Sequence, residues 1–228
     1  MKTLSTIKYL NKYALGIMTL LALGVMGNQA VAGTISGSAH DFSASGYGTD
    51  QVCVFCHTPH NADVTVQEAP LWNHEVTATV FTPYDSPTLQ ASGGTIGQPD
   101  GSSKLCLSCH DGSVAIDSFG GATGSINLTG PAAIGADAES LTNDHPISFV
   151  YDAALATADG RLFDPTTETV TIGSGGDTKT GTINDVMLIG TKMQCATCHD
   201  VHNNFSVGNK LLRVTVNGST LCLTCHNK

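Results

Sequence analysis

CVFCHTPHN, residues 53–61, places two cysteines and two histidines in nine positions. The order C-x-x-C-H closes at His57, and His60 follows after only Thr58 and Pro59. Whether these side chains grip one centre or two decides how the rest of the chain is read.

The same order recurs wherever cysteine occurs. The eight Cys form the pairs Cys53/Cys56, Cys106/Cys109, Cys195/Cys198 and Cys222/Cys225, and each pair is followed at once by His57, His110, His199 or His226. An even cysteine count first suggests disulfides. The spacing points elsewhere, because C-x-x-C-H is the attachment signature of c-type haem. Two thiols on one turn of chain can add to the two vinyl groups of one porphyrin, and the adjacent imidazole reaches the iron from the proximal face. A zinc ribbon has no use for a His after every pair, and a redox dithiol requires a βαβ context that is missing here. Four motifs therefore predict four covalently held haems c.

Iron in a haem electron carrier commonly takes a second protein ligand. Nine His less the four in the motifs leave His40, His60, His74, His145 and His202. The chain reads as two diverged copies of one pattern. HDFS (40–43), CVFCHTPHN (53–61) and KLCLSCHDG (104–112) recur in order as HPIS (145–148), CATCHDVHN (195–203) and TLCLTCHNK (220–228). His40 thus matches His145 and His60 matches His202, and these four are the expected distal ligands. His74, in PLWNH (70–74), has no match and is expected to pack beside Trp72, with replacement of one distal ligand as its alternative role. His60, three residues from His57, cannot easily bend round its own porphyrin and is expected to ligate a neighbouring haem, as is His202 after His199. Asp41, Asp144 and Asp200, next to His40, His145 and His199, are candidates for orienting those imidazoles, with a solvated surface carboxylate as the commoner case.

Composition fits a chain built around cofactors. Aromatic residues are 6%, Trp72 is the single tryptophan, and 25 glycines are present, so the polypeptide is poor in large core-filling side chains. Residues 1–32 read as a secretory leader: Lys2, Lys8 and Lys12, an apolar run at 14–27, then Ala30-Val31-Ala32 as a cleavage site. The run is shorter than the about 20 residues a membrane span needs, so no stable membrane insertion is expected. Ten basic against 19 acidic residues give −9, and loss of the three leader lysines takes the balance to −12. That charge disfavours nucleic acid as a partner.

The expected fold is mostly irregular chain wrapped around four haems, with short helices at the C-x-x-C-H segments and around Asp152 to Ala158. The alternation around GSGGD in 168–190 predicts a small β-hairpin. The two copies span about 33–117 and 141–228 in one domain, 33–228, with Gly/Thr-rich insertions between them and within the second. Without haem, such a chain is expected to fold poorly.

Through CVFCHTPHN, APLWNH, KLCLSCHDG, DHPISF and LCLTCH the chain resembles bacterial multihaem c-type cytochromes with doubled C-x-x-C-H motifs. Its haem count, size and early His resemble the extracellular tetrahaem nanowire cytochromes of the OmcE type. That resemblance implies bis-His ligation, closely stacked haems, polymerisation into an extracellular conducting filament, and a ligand given across the subunit boundary, for which His40 is the candidate. A cis role for His40 is the competing possibility. A monomeric periplasmic shuttle is the alternative function. A multihaem reductase is disfavoured, since five spare His cover four sixth positions and leave no open iron for catalysis.

Overall fold

The computed structural model describes residues 35–135, 140–208 and 210–228. The leader expected at 1–32 and the mature start expected at Gly33 lie outside the described residues. Irregular chain predominates, punctuated among the described residues by three short 3-10 helices and five α-helices: α1 (Gly101–His110), α2 (Ala153–Asp159), α3 (Ile183–Val186), α4 (Cys195–Cys198) and α5 (Thr220–Leu223). Two two-stranded antiparallel sheets join β1 (Phe149–Val150) to β4 (Lys192–Met193) and β2 (Thr169–Ser174) to β3 (Asp177–Thr182).

Local chemistry sets these boundaries. The Asp152 carboxylate accepts from Leu155 N at 2.9 Å, which caps the start of α2, and Gly160 at φ 71° ends it by returning its N–H to the Ala156 carbonyl. The Thr182 hydroxyl accepts from Asp185 N at 3.2 Å and starts α3. Ser174 pairs with Asp177 across Gly175-Gly176, and the hydroxyls of Thr171 and Thr180 bond across the ladder at 2.7 Å. The hairpin and α2 therefore lie where the sequence puts them. Helices accompany three of the four C-x-x-C-H segments. At Cys53–Cys56 the expected helix is only a turn: His57 N returns to the Cys53 carbonyl at 2.9 Å, and His57 then leaves the turn to bridge with Trp72.

Burial is uneven along the chain. One cluster gathers Phe149, Tyr151, Leu155, Ile172, Ile183, Val186, Met187, Leu188, Met193 and neighbours, drawing on β1, α2, β2, α3 and β4. Its existence qualifies the expectation that porphyrins alone supply the apolar bulk: the second half has a protein core of its own. The first half adds Ala91 and Ile96 to that cluster and otherwise forms smaller ones, Val66, Trp72 and Leu105 in one and Phe81 and Leu107, with Leu141, in another. Phe55 ties the beginning of the described chain down, meeting Phe42 at 5.3 Å and Phe119 at 4.7 Å between ring centroids.

α1 and α4, which carry the second and third motifs, are locked by a buried polar clamp. Gln194 Oε1 accepts from Ser103 N and from the Ser148 hydroxyl, both at 3.2 Å, while its Nε2 donates to Asp100 at 2.8 Å. The Ser103 hydroxyl in turn accepts from Cys195 N at 2.9 Å. Ser103, Gln194 and Thr197 are at most 1% exposed, so every one of these groups needs its partner.

Candidate haem-binding site

The segments that begin with the first and third motifs are built alike, bond for bond. The His57 ring nitrogen Nδ1 lies 2.6 Å from the Pro70 carbonyl and that of His199 lies 2.9 Å from the Lys210 carbonyl. Thr58 N donates to Leu71 O and Asp200 N to Leu211 O; Asn73 N donates to Cys56 O and Arg213 N to Cys198 O. The backbone is left-handed at the same places, Asn61 and Asn203 at φ 56° and 55°, Leu71 and Leu211 both at 55°. A leucine there is strained by about 1–3 kcal/mol. Both copies accept that cost at the residue after the carbonyl that orients the imidazole.

This likeness locates His74. It occupies the position of Val214, both buried, at 3% and 6% exposure. Its Nδ1 and Nε2 lie 2.8 Å from Glu75 O and 3.0 Å from Ala115 O, and its ring meets Trp72 edge-on. A neutral imidazole donates to only one of these carbonyls, and with the ring 3% exposed the other oxygen stands where a metal would have to approach the remaining nitrogen. Its Nε2 also lies 3.4 Å from Cys109 Sγ, so His74 packs against the second attachment site.

The remaining imidazoles are prepared for metal. A carbonyl can only accept, so Nδ1 of His57, His199 and, at 2.7 Å from Ala132 O, His110 carries the proton and leaves Nε2 as the bare ligand atom. His145 Nδ1 makes the same bond to Pro146 O at 2.9 Å. At His145 and His199 backbone carbonyls fill the orienting role for which Asp144 and Asp200 were candidates, whereas His40 Nδ1 has no protein partner. Asp41 serves Gly37 and Ser43 instead, and Asp200, 4% exposed, accepts from the backbone of His202, Asn204 and Phe205.

Three of the motif imidazoles each lie near one imidazole from outside the motifs. Ring centroids are 6.1 Å apart for His40 and His110, 6.1 Å for His57 and His202, and 6.4 Å for His145 and His226. Among the described residues no hydrogen bond joins the two rings of any of these pairs. Two imidazoles on opposite faces of one metal put their centroids about 6 Å apart, from two bonds of about 2 Å and a ring radius of roughly 1 Å on each side. Burial first, then the neighbouring His110, pushes His40 down to about 4, which keeps it in the neutral form that binds metal. His60 and His199 are exposed. Among the described residues neither ring has an imidazole facing it in this way.

The thiols complete the set. No disulfide joins any of the eight cysteines. Burial pushes the second thiol of each motif up, Cys56 and Cys198 to about 11 and Cys109 and Cys225 to about 12. The first thiols Cys53 and Cys222 are exposed. The neighbouring Cys106 and Cys195 thiols interact, which raises Cys106 and lowers Cys195. The second and third motifs therefore lie side by side, as the bond from Cys195 N to Ser103 also shows. Trp72 Nε1, His40 Nδ1 and Ser102 Oγ are buried without a protein partner, which suits a cofactor bearing carboxylates. Imidazoles spaced in pairs, rather than gathered in a tetrahedral cage, suit a porphyrin better than zinc.

Comparison with known proteins agrees at this level. The family described as the doubled CXXCH motif matches residues 189–228, which hold the third and fourth motifs. No curated protein matches the chain. The paired motif indicates a c-type cytochrome-like protein that binds haem covalently and, at that coarse level, transfers electrons.

Proposed function

We propose that the chain is a tetrahaem electron carrier, exported, without catalytic activity of its own, that polymerises outside the cell and passes electrons to an external acceptor. The observation that carries the haem reading is the spacing of His40/His110, His57/His202 and His145/His226, which appears at three of the four motifs. Cys53/Cys56, Cys106/Cys109, Cys195/Cys198 and Cys222/Cys225 hold the porphyrins. The haem iron supplies a one-electron ferric/ferrous couple when bound.

The residues do three things for that couple. Paired imidazoles close both axial positions, which disfavours substrate at the iron and hence the reductase alternative. Backbone carbonyls at Pro70, Ala132 and Lys210 fix the proximal tautomer and raise ligand basicity. The α1–α4 clamp holds Cys106 against Cys195, so two cofactors attached there sit close enough for rapid exchange.

Export rests on the leader, and the extracellular filament rests on the resemblance to nanowire cytochromes. Among the described residues no helix is long and apolar enough to cross a membrane. The His40/His110 pairing supports a cis role for His40 in place of a bond across the subunit boundary. Intact-mass analysis of the native protein tests the haem count, with four covalent haems expected and fewer refuting it. Electron microscopy of the extracellular fraction separates the filament from the periplasmic monomer.

A further inference from the structure

We infer that His60 is the axial ligand opposite His199, so that the first and third motifs exchange imidazoles: His202 closes the iron held by His57, and His60 closes the iron held by His199. This rests on the reading of the chain as a four-haem, bis-imidazole protein.

Elimination supplies half the argument. Each motif contributes one proximal imidazole. Three of these, His57, His110 and His226, face a distal ring of this same chain at 6.1–6.4 Å. His74 is withdrawn, because carbonyl oxygens face both of its nitrogens and it fills the buried position that Val214 fills in the other copy. One proximal and one distal imidazole remain, His199 and His60. Both are exposed, and the carbonyl at Nδ1 of His199 leaves its Nε2 as the ligating atom. His60 bonds to the Thr58 hydroxyl through its backbone N–H and carbonyl, which leaves the ring uncommitted.

The internal likeness supplies the other half. Mapping the first copy onto the second carries the observed pair His40/His110 onto the observed pair His145/His226. It also carries the segment of His57 and His60 onto that of His199 and His202, whose backbones share their hydrogen bonds and their left-handed asparagine. Exchanging these two segments turns the observed pair His57/His202 into His199/His60. His202 stands three residues after His199 and serves the other segment's iron. His60 stands three residues after His57 and is placed to return the service.

The consequence is a reciprocal staple. Each H-x-x-H tripod holds its own porphyrin by the first imidazole and its neighbour by the second, which binds cofactors 142 residues apart in sequence into one pair. His40 is the principal competitor, since it also lies within electrostatic reach of His199.

Counting low-spin haems in the purified holoprotein decides the matter. Wild type is expected to show four covalent haems by mass and four low-spin ferric signals by electron paramagnetic resonance. His60→Ala is expected to keep four haems by mass but convert one to a form that binds carbon monoxide when reduced. The double variant His60→Ala/His199→Ala is expected to retain three low-spin haems, whether or not the third porphyrin is still attached, because both lost imidazoles belong to one iron. Two low-spin haems in the double variant would show that they belong to different irons and overturn the inference. If the alanine variant does not accumulate, His60→Met replaces it, with one haem expected to shift to higher potential as a Met/His iron does and an unchanged set of potentials overturning the assignment. A wild-type protein with fewer than four haems by mass would instead refute the four-haem reading, which keeps the two failures apart.

Discussion

His57 and His202, 145 residues apart in sequence, hold their imidazole planes within 11° of each other at a centroid separation of 6.1 Å. Neither ring is drawn there by a hydrogen bond to the other, and His57 is steered from behind by the Pro70 carbonyl. In the proposed reading one iron lies between them, which would account for the distance. It would also tie the first motif to the segment that follows the third.

The first prediction removes that tie. His202→Ala should leave all haems attached, because the thioethers are untouched, and should open one iron per chain. Carbon monoxide binding to the reduced protein is then expected to rise from none to one equivalent per chain. The loss of about one haem's worth of low-spin signal accompanies it. Binding of zero equivalents would remove His202 from the ligand set.

His74 gives the opposite expectation. His74→Leu makes the side chain apolar and similar to Val214, but it removes the one hydrogen bond that the neutral imidazole donates, to Glu75 O or to Ala115 O. The cost is expected to be about 1–3 kcal/mol of stability, read in thermal unfolding of the holoprotein. The number of low-spin haems should be unchanged. A newly opened iron in this variant would make His74 a ligand after all.

Much of this was legible in the residue order, and what was not has a physical cause. The motifs and the surplus of one His follow from spacing, and the proposal that H-x-x-H reaches a second iron starts from it too, because covalent attachment would fix where a proximal imidazole can point. The partner of His202 does not follow, since a contact across 145 residues depends on how two alike segments pack. The orienting groups were also hidden. Neighbouring aspartates suggested themselves from sequence, whereas the structure uses Pro70, Ala132 and Lys210 through their carbonyls, which every residue type carries. Val214 as the counterpart of His74 emerges only from the shared bonds to Cys56 and Cys198, as the two loops differ in length. The α1–α4 clamp left no sequence signal, because a lone Gln before a motif looks like any polar residue.

That clamp can be tested. Gln194→Leu deprives Ser103 N of its acceptor and Asp100 and Ser148 of a partner. Leaving Ser103 N buried without its acceptor, while the partly exposed Asp100 keeps Lys192, is expected to cost about 1–3 kcal/mol. Denaturant unfolding should show it, and the redox signals of the haems on Cys106/Cys109 and Cys195/Cys198 should shift more than the other two. Equal shifts at every haem would mean that the residue serves overall stability alone.

The last prediction concerns the chain without cofactor, obtained with all eight cysteines changed to serine. The second half keeps a hydrophobic cluster that includes Tyr151, Ile172, Ile183 and Met187, each at most 2% exposed, and a hairpin with six register pairs. The segment 35–80 has only the Phe55 aromatic contacts and the small cluster around Trp72. Local opening follows how much apolar contact a segment buries. Amide hydrogen exchange of the serine variant is therefore expected to leave slow amides in β2, β3 and α3 while those of 35–80 exchange as in an unfolded chain. The holoprotein should protect both. Uniform loss of protection in the variant would mean that the porphyrins hold the second half together as fully as the first, and that its buried cluster is insufficient by itself.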